Sequence, residues 1–260
     1  MTWPLRGRRV MVTRTSSQAQ DLCDLLEREL AVPVVVPVMR LQALVDAGAI
    51  GALRQRISAG DFDDLVFTSA NSVGQLLGDG RLSQAGSRAY AIGPGTAAAL
   101  RKLGWQAEPL PQGYIAESLA ERIAVRGASA RRILLPRARG ARDVLPRRLE
   151  EMGAQVEVVE LYEMVPNWEV QSSLCDQLQS QELDCITFTS GSTARCFAEL
   201  AGPVRPPDRC VLACIGPITA EEMRRQGMVP QVVAGTHSIP GLVQALRSWF
   251  ARLPENGGCT

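Results

Sequence analysis

Short apolar runs alternate with helical periodicities along the 260-residue chain. Arg8 to Thr13 reads as a buried strand, Gln18 to Leu30 as a helix, and Val32 to Leu41 as an unusually long apolar strand carrying Pro33 and Pro37. A helix over Ala47 to Ile57 is expected next. A strand from Leu65 to Thr68, a helix from Ser72 to Leu77, a strand from Ala89 to Ile92 and a helix from Thr96 to Leu103, stopped by Gly104, follow it. Ile115 to Val125 reads as one more helix. Strands alternating with helices imply parallel sheets covered by helices on both faces.

The second half repeats the first. Arg8-Arg9-Val10-Met11-Val12-Thr13-Arg14 matches Arg131-Arg132-Ile133-Leu134-Leu135-Pro136-Arg137 at a shift of 123 positions, 131 minus 8. Ile92-Gly93-Pro94-Gly95-Thr96-Ala97 matches Ile215-Gly216-Pro217-Ile218-Thr219-Ala220 at the same shift, as Gly104 does Gly227. Val66-Phe67-Thr68-Ser69-Ala70-Asn71-Ser72 is echoed at a shift of 121 by Thr187-Phe188-Thr189-Ser190-Gly191-Ser192-Thr193. Turn chemistry explains one such match, whereas three in register imply a duplicated α/β unit.

A cut near residue 128 gives two consecutive five-stranded units. The two long strands, Val32 to Leu41 and Val156 to Val165, offer another division, in which both cross between domains and each domain mixes parts of both repeats. Periodicity does not choose between them. Length suits two domains of roughly 100 to 150 residues, and 46% hydrophobic residues suffice for real cores. Pro254 to Gly258 reads as a loose tail.

A net charge of +1 gives no global reason to expect nucleic acid or an anionic membrane as partner. No apolar run approaches the roughly 20 residues of a membrane helix, and the start around Arg6, Arg8 and Arg9 lacks the apolar core of a signal peptide. A soluble, cytoplasmic protein is expected. The seven cysteines form no C-x-x-C pair and are expected to be reduced. A zinc site or a Ser-His-Asp triad would have to be built around His237, the single histidine, and neither is expected.

The candidate chemistry lies where strands run into helices. Hydroxyls and free backbone N–H groups at a helix start hold anions, because the first helical donors lack internal partners and the dipole favours negative charge. Both Thr-Ser stretches have this character. Thr96 and Thr219 follow glycine and proline at two further junctions, where helix capping is the plain reading. Four junctions in two matched sets point to ligand binding, since ligands of open α/β sheets lie outside the strand C-termini. Neither G-x-x-x-x-G-K-[ST] nor G-x-G-x-x-G occurs, which disfavours a nucleotide.

Residues 126 to 148 hold eight arginines against the single acid Asp143, a solvated basic face balanced by Glu150, Glu151, Glu157, Glu160 and Glu163. Arg137, Arg139 and Arg142, in the turn after a strand, are candidates for pairing with carboxylates, and Arg14 holds the equivalent place in the first repeat. A small polyanion is the expected ligand. Tyr162 reads first as a partly buried tyrosine with a hydrogen-bonded hydroxyl, and its place near the end of a crossing strand also admits a cleft-facing hydroxyl. His237, at the position matching Tyr114, precedes a helix whose start is marked by Ser238 and Pro240.

Taken in order, Val10-Met11-Val12-Thr13-Arg14, Phe67-Thr68-Ser69-Ala70-Asn71-Ser72, Ile92-Gly93-Pro94-Gly95-Thr96, Leu134-Leu135-Pro136-Arg137-Ala138-Arg139-Gly140, Leu161-Tyr162, Phe188-Thr189-Ser190, Ile215-Gly216-Pro217-Ile218-Thr219 and Gly241-Leu242-Val243 resemble the uroporphyrinogen-III synthase family over almost the whole chain. The resemblance implies two similar flavodoxin-like parallel-sheet α/β domains joined by a two-stranded linker, with the ligand cleft between them. Residues 1–37 plus 165–260 would form one domain and 38–164 the other.

The implied activity is that of a cofactor-independent lyase without a metal. It cyclises hydroxymethylbilane to uroporphyrinogen III, with inversion of ring D and loss of water. Tyr162 matches the family's usual candidate for the acid. Binding of the polycarboxylate substrate then falls to Arg14, Thr68, Ser69, Asn71, Gly93, Thr96, Arg137, Arg139, Gly140, Thr189, Ser190, Gly216 and Thr219. A monomer with transient contact to the preceding pathway enzyme is expected, with no nucleic acid and no membrane partner. The alternative is a two-domain protein that senses a small anion without catalysis. A fused DNA-binding module is expected in that case, and only a short tail follows Phe250.

Overall fold

The structure is a computed structural model that describes residues 3–78, 80, 82, 84, 86–108, 119, 123 and 130–252. Of the helix expected over Ile115 to Val125, Leu119 and Ile123 are described, both helical and buried. The rest of that stretch, Tyr114 and the tail from Pro254 to Gly258 lie outside the described residues.

In chain order the strands are β1 (Arg9–Val12), β2 (Val32–Val35), β3 (Met39–Ala43), β4 (Asp64–Phe67), β5 (Arg88–Ala91), β6 (Ala107–Glu108), β7 (Arg132–Ala138), β8 (Gln155–Pro166), β9 (Cys185–Phe188), β10 (Val211–Cys214) and β11 (Val232–Val233). The chain divides into two compact units, residues 1–40 with 165–260, and residues 41–164. It passes from one to the other within β3 and again within β8.

The first unit holds a five-stranded sheet in the order β11-β10-β9-β1-β2, with all four neighbouring pairs parallel. Counting its strands along the chain gives 2-1-3-4-5, the flavodoxin-like order. Parallel strands are buried on both faces, which is why β1 is apolar after Arg9, from Val10 to Val12. Val10 and Val12 pack with Leu22 and Leu26 of the helix Ser16–Arg28 and with Leu242, Leu246 and Phe250 of the helix Ile239–Phe250. Met11, pointing the other way by strand alternation, is equally buried. On β9, Phe188 meets Phe197 edge to face at 5.1 Å.

The second sheet has the order β3-β8-β7-β4-β5-β6. The pairs from β8 to β6 are parallel. β3 lies beside β8 at the edge, where Leu44 N–H donates to Leu161 O at 2.9 Å and the Gln42 amide reaches Glu163. Residue numbers rise on one strand as they fall on the other, so this pair is antiparallel. Leaving β3 aside and starting from β7, the second sheet also reads 2-1-3-4-5. The repeat is thus real in space but exchanged. β1 and β2 of the first repeat stand beside β9 to β11 of the second, and β7 and β8 beside β4 to β6. A cut near residue 128 would separate β1 from β9.

The single strand expected over Val32 to Leu41 is in fact two, in different sheets. Val36 and Val38 N–H groups still bond to Val12 and Thr13 carbonyls. Pro37 between them has no N–H to continue a ladder, and its carbonyl accepts from the side chain of Asn167 at 3.0 Å. The proline therefore sits where the chain leaves one sheet for the other.

One hydrogen-bonded device appears in both units. The Asp184 carboxylate accepts from the backbone N–H of Arg9 at 2.9 Å, and that of Asp63 from the N–H of Arg132 at 2.8 Å. Each aspartate thereby clamps its own strand start to the neighbouring strand of the other repeat. Arg8 adds an ion pair to Asp184 at 2.8 Å, and Arg131 forms a bidentate pair with the fully buried Asp64. Sequence reading missed both clamps, although an aspartate stands at matching positions just before β4 and β9.

Candidate functional site

In the second unit, β4 ends at Phe67, and Thr68 and Ser69 lead into the helix Ala70–Leu77. Ser69 is its N-cap, in extended conformation, and its Oγ accepts from the Ser72 N–H at 3.1 Å. Such a cap contributes about 1 kcal/mol and uses the third of the helix's orphan donors. The first two, on Ala70 and Asn71, have no intrahelical acceptor. In the first unit Ser190 does the same for the helix Gly191–Ala201. It forms a full capping box in which Thr193 N–H donates to Ser190 Oγ and Ser190 N–H to Thr193 Oγ1, both at 3.2 Å. Ser72 and Thr193, three residues after each cap, were not singled out from the sequence. The S-x-x-[ST] spacing in both repeats was the available signal.

The glycine-proline turns are matched in place but not in cause. Gly93 caps the helix Pro94–Lys102 with φ of 87°, the left-handed region that favours glycine. Gly216 caps the helix Pro217–Arg225 in extended conformation, where an added Cβ would lie 2.8 Å from Cδ2 of His237 and the ring would have to move. Thr96 and Thr219, in the first turns of these helices, are buried.

Tyr162 is placed by a bulge. Arg137 pairs with Glu160 and Ala138 with Tyr162, so Leu161 is the extra residue of β8. Regular alternation would put Leu161 and Tyr162 on opposite faces. The bulge lets both enter the core formed by Phe67, Val73, Leu76 and Leu77. Tyr162 is only 3% exposed, more buried than the sequence suggests, and its hydroxyl lies 2.8 Å from Ser69 Oγ.

The arginines are less free than their positions promise. Arg137 pairs with Asp143 at 2.8 Å and is 11% exposed, with its Nε buried and without a hydrogen-bond partner. Arg139, exposed, bonds Glu160 at 3.2 Å and Glu163 at 3.4 Å, next to Gly140 in its left-handed turn. Arg14, at the end of β1, reaches Gln18 at 3.5 Å, and its Nε is likewise buried without a partner. Burial pulls the Arg14 guanidinium below its ordinary pKa, with Asp21 opposing the shift.

Each unit therefore gathers one set of the predicted residues at the C-terminal ends of its parallel strands. Arg14, Thr189, Ser190, Gly216 and Thr219 follow β1, β9 and β10. Thr68, Ser69, Asn71, Gly93, Thr96, Arg137, Arg139 and Gly140 lie at or just beyond the ends of β4, β5 and β7, with Tyr162 on β8. In both sheets the strands at the centre, β1 with β9 and β7 with β4, flank the point where strand order reverses, the usual ligand position in such sheets. Among the described residues no group of three or more His, Cys, Asp or Glu side chains is arranged to hold a metal.

A sequence model of one family, described as uroporphyrinogen-III synthase HemD, matches residues 20–244. The chain belongs to the uroporphyrinogen-III synthase family. Among similar proteins, the uroporphyrinogen-III synthase of Chlorobaculum parvum is 27% identical over 250 residues, covering 92% of this chain and 99% of the relative. That of Synechococcus elongatus is 28% identical over 264 residues, covering 95% and 97%. The crystal structure of uroporphyrinogen-III synthetase from Helicobacter pylori superposes with a TM-score of 0.63 at 18% identity, covering 94% of this chain and 99% of that one. A mutant uroporphyrinogen III synthase from Thermus thermophilus gives 0.58 at 18% identity, covering 95% and 100%. These structures share the α/β fold of the family. Membership makes the chain an enzyme of porphyrin biosynthesis.

Proposed function

We propose that this chain closes hydroxymethylbilane to uroporphyrinogen III as a cofactor-independent lyase. The observation that carries the mechanism is the seat of Tyr162, whose hydroxyl is held 2.8 Å from the N-cap serine of the helix after β4. In this reading the phenol gives its proton to the departing hydroxyl, and the C–O bond breaks with its electron pair leaving as water. The resulting azafulvene-type cation is attacked by ring D through its substituted position, and a spiro intermediate fragments and recloses with that ring inverted. The ring-closing carbon then loses a proton, which restores the phenol.

Substrate carboxylates are assigned to the backbone donors, threonines and arginines at the strand ends of both units. The open N–H groups at Ala70 and Asn71 and at Gly191 and Ser192, flanked by Thr68 and Thr189, offer fixed donors that need no reorganisation. Arg14, Arg137 and Arg139 supply positive charge, the last two by exchanging the acids they already hold. Holding a flexible tetrapyrrole so that inverted closure outruns direct closure is a matter of orientation, where much of a barrier can be removed. The reading includes a cytoplasmic monomer that takes the unstable bilane by transient contact with the preceding enzyme. No helix among the described residues is long and apolar enough to cross a membrane.

Incubation with freshly made hydroxymethylbilane, followed by chromatographic separation of the type I and type III isomers, tests the activity. Type III in excess is expected, and the isomer pattern of spontaneous closure would overturn it. Tyr162→Phe should lower type III formation by about 10²-fold or more, the usual scale of general acid catalysis, while circular dichroism shows a folded protein. Unchanged turnover and isomer ratio would remove Tyr162 from the role of acid.

A further inference from the structure

We propose that Ser69 is a positioning residue for Tyr162, and that its hydroxyl is not a substrate ligand. The inference rests on the reading of Tyr162 as the acid. A serine hydroxyl has one proton to give and two lone pairs to accept with. Around Ser69 Oγ stand the Ser72 N–H at 3.1 Å, Ser72 Oγ at 2.7 Å and Tyr162 Oη at 2.8 Å. The Ser72 hydroxyl has a second acceptor in the Ser69 carbonyl, at 3.1 Å.

Two proton arrangements satisfy this cluster. In the first, Tyr162 donates to Ser69 Oγ, Ser69 donates to Ser72 Oγ, and Ser72 donates to the Ser69 carbonyl. In the second, Ser72 turns its proton onto Ser69 Oγ, and Ser69 donates to Tyr162 Oη. Both arrangements use the one proton and both lone pairs of Ser69, so a carboxylate finds no donor there. The two differ in what they do to the tyrosine. The first ties up the phenolic proton. The second releases it and places a donor on the oxygen that becomes negative when the proton leaves, the kind of fixed dipole that stabilises developing charge.

Rotation of three hydroxyls, those of Ser72, Ser69 and Tyr162 itself, therefore moves Tyr162 between a resting and a proton-giving state without displacing a heavy atom. When the substrate hydroxyl accepts the Tyr162 proton and leaves as water, Ser69 Oγ–H holds the phenolate until a proton returns from the closing ring. The cap bond from Ser72 N–H fixes Ser69, and the bulge at Leu161 fixes Tyr162, so neither has to be ordered at the moment of reaction. Ser190, the matching cap, bonds to the Thr193 hydroxyl, and no tyrosine is among its described partners. Among the described residues the relay belongs to the second unit alone.

A double-mutant cycle in the full chain, measured as steady-state type III formation, is the test. Ser69→Ala should lower kcat about tenfold or more with KM within twofold, and Ser69→Thr, which keeps the hydroxyl, should restore most of it. Ser69→Gly removes the hydroxyl at little cost to the cap, and serves if the alanine variant is poorly folded. In a Tyr162→Phe background Ser69→Ala should cause no further loss, because a residue acting through the phenol has nothing left to act on. A raised KM with kcat kept would make Ser69 a substrate ligand and overturn the inference. So would an equal kcat loss in both backgrounds. If Tyr162→Phe alone leaves turnover unchanged, the acid reading itself has failed, an outcome seen before Ser69 is touched.

Discussion

Glycines 93 and 216 hold the same place in two copies of one turn, and they are needed for different physical reasons. At Gly93 any side chain pays for positive φ, about 1–2 kcal/mol. At Gly216 the backbone is ordinary, and the obstacle is the exposed ring of His237, a side chain able to swing aside. Gly93→Ala should therefore lower Tm by several degrees, on the scale of about 2–4 °C per kcal/mol for a protein of this size, and Gly216→Ala by clearly less. Calorimetry of the two variants decides, and equal losses would mean the ring cannot move. The sequence revealed both glycines and both Thr-Ser junctions at helix starts, because turn and helix-start chemistry is local. It did not reveal that Ser69 and Tyr162 share a hydrogen bond across 93 positions, nor that Arg137 and Arg139 already hold acids. Those contacts depend on which strands become neighbours, as when β7 brings Arg137 opposite Glu160.

Strands and helices were largely legible as elements, since apolar runs bounded by glycine, proline and hydroxyl residues mark them. Two departures came from sheet-level causes. The long apolar run Val32 to Leu41 was broken by a change of sheet at Pro37, and the bulge in β8 was hidden because two adjacent buried residues look the same whether a strand is regular or bulged. The Asp63 clamp carries a pH signature. The backbone N–H of Arg132 holds the Asp63 carboxyl below its ordinary pKa, with burial opposing and the Arg132 charge assisting. A depressed folded-state pKa gives stability that is complete above the ordinary aspartate value near 4 and is lost as pH falls through the lower folded value. Asp63 is 37% exposed, so water screens part of the effect. The Tm of Asp63→Asn should lie below that of the parent at pH 7, and the gap should close in acid. A gap that is constant from pH 7 to pH 3 would show that the charge on Asp63 is irrelevant and that only its shape matters.

At the scale of the whole molecule, the duplication was visible as matched motifs, but the exchange of strands between copies was not, because periodicity locates a strand without naming its neighbours. The exchange makes halves and units different things. A fragment of residues 41–164 contains four of the six strands of its sheet entire and most of β3 and β8. A fragment of residues 1–128 contains β1 without β9 and β4 without β7. The first should unfold cooperatively in urea and the second should not, and a cooperative transition in residues 1–128 would contradict the pairing of β1 with β9. The same pairing sets a timetable for a chain still on the ribosome. The start of β9 at Cys185 comes 173 positions after the end of β1 at Val12, 185 minus 12, and at about 5–20 residues per second that synthesis takes roughly 9–35 s. The strands of the second sheet are all born within that interval and have their partners at hand. The first strands made are thus the ones that wait, and slow translation beyond residue 166 prolongs the life of a nascent chain in which one sheet is finished while the other still lacks its centre.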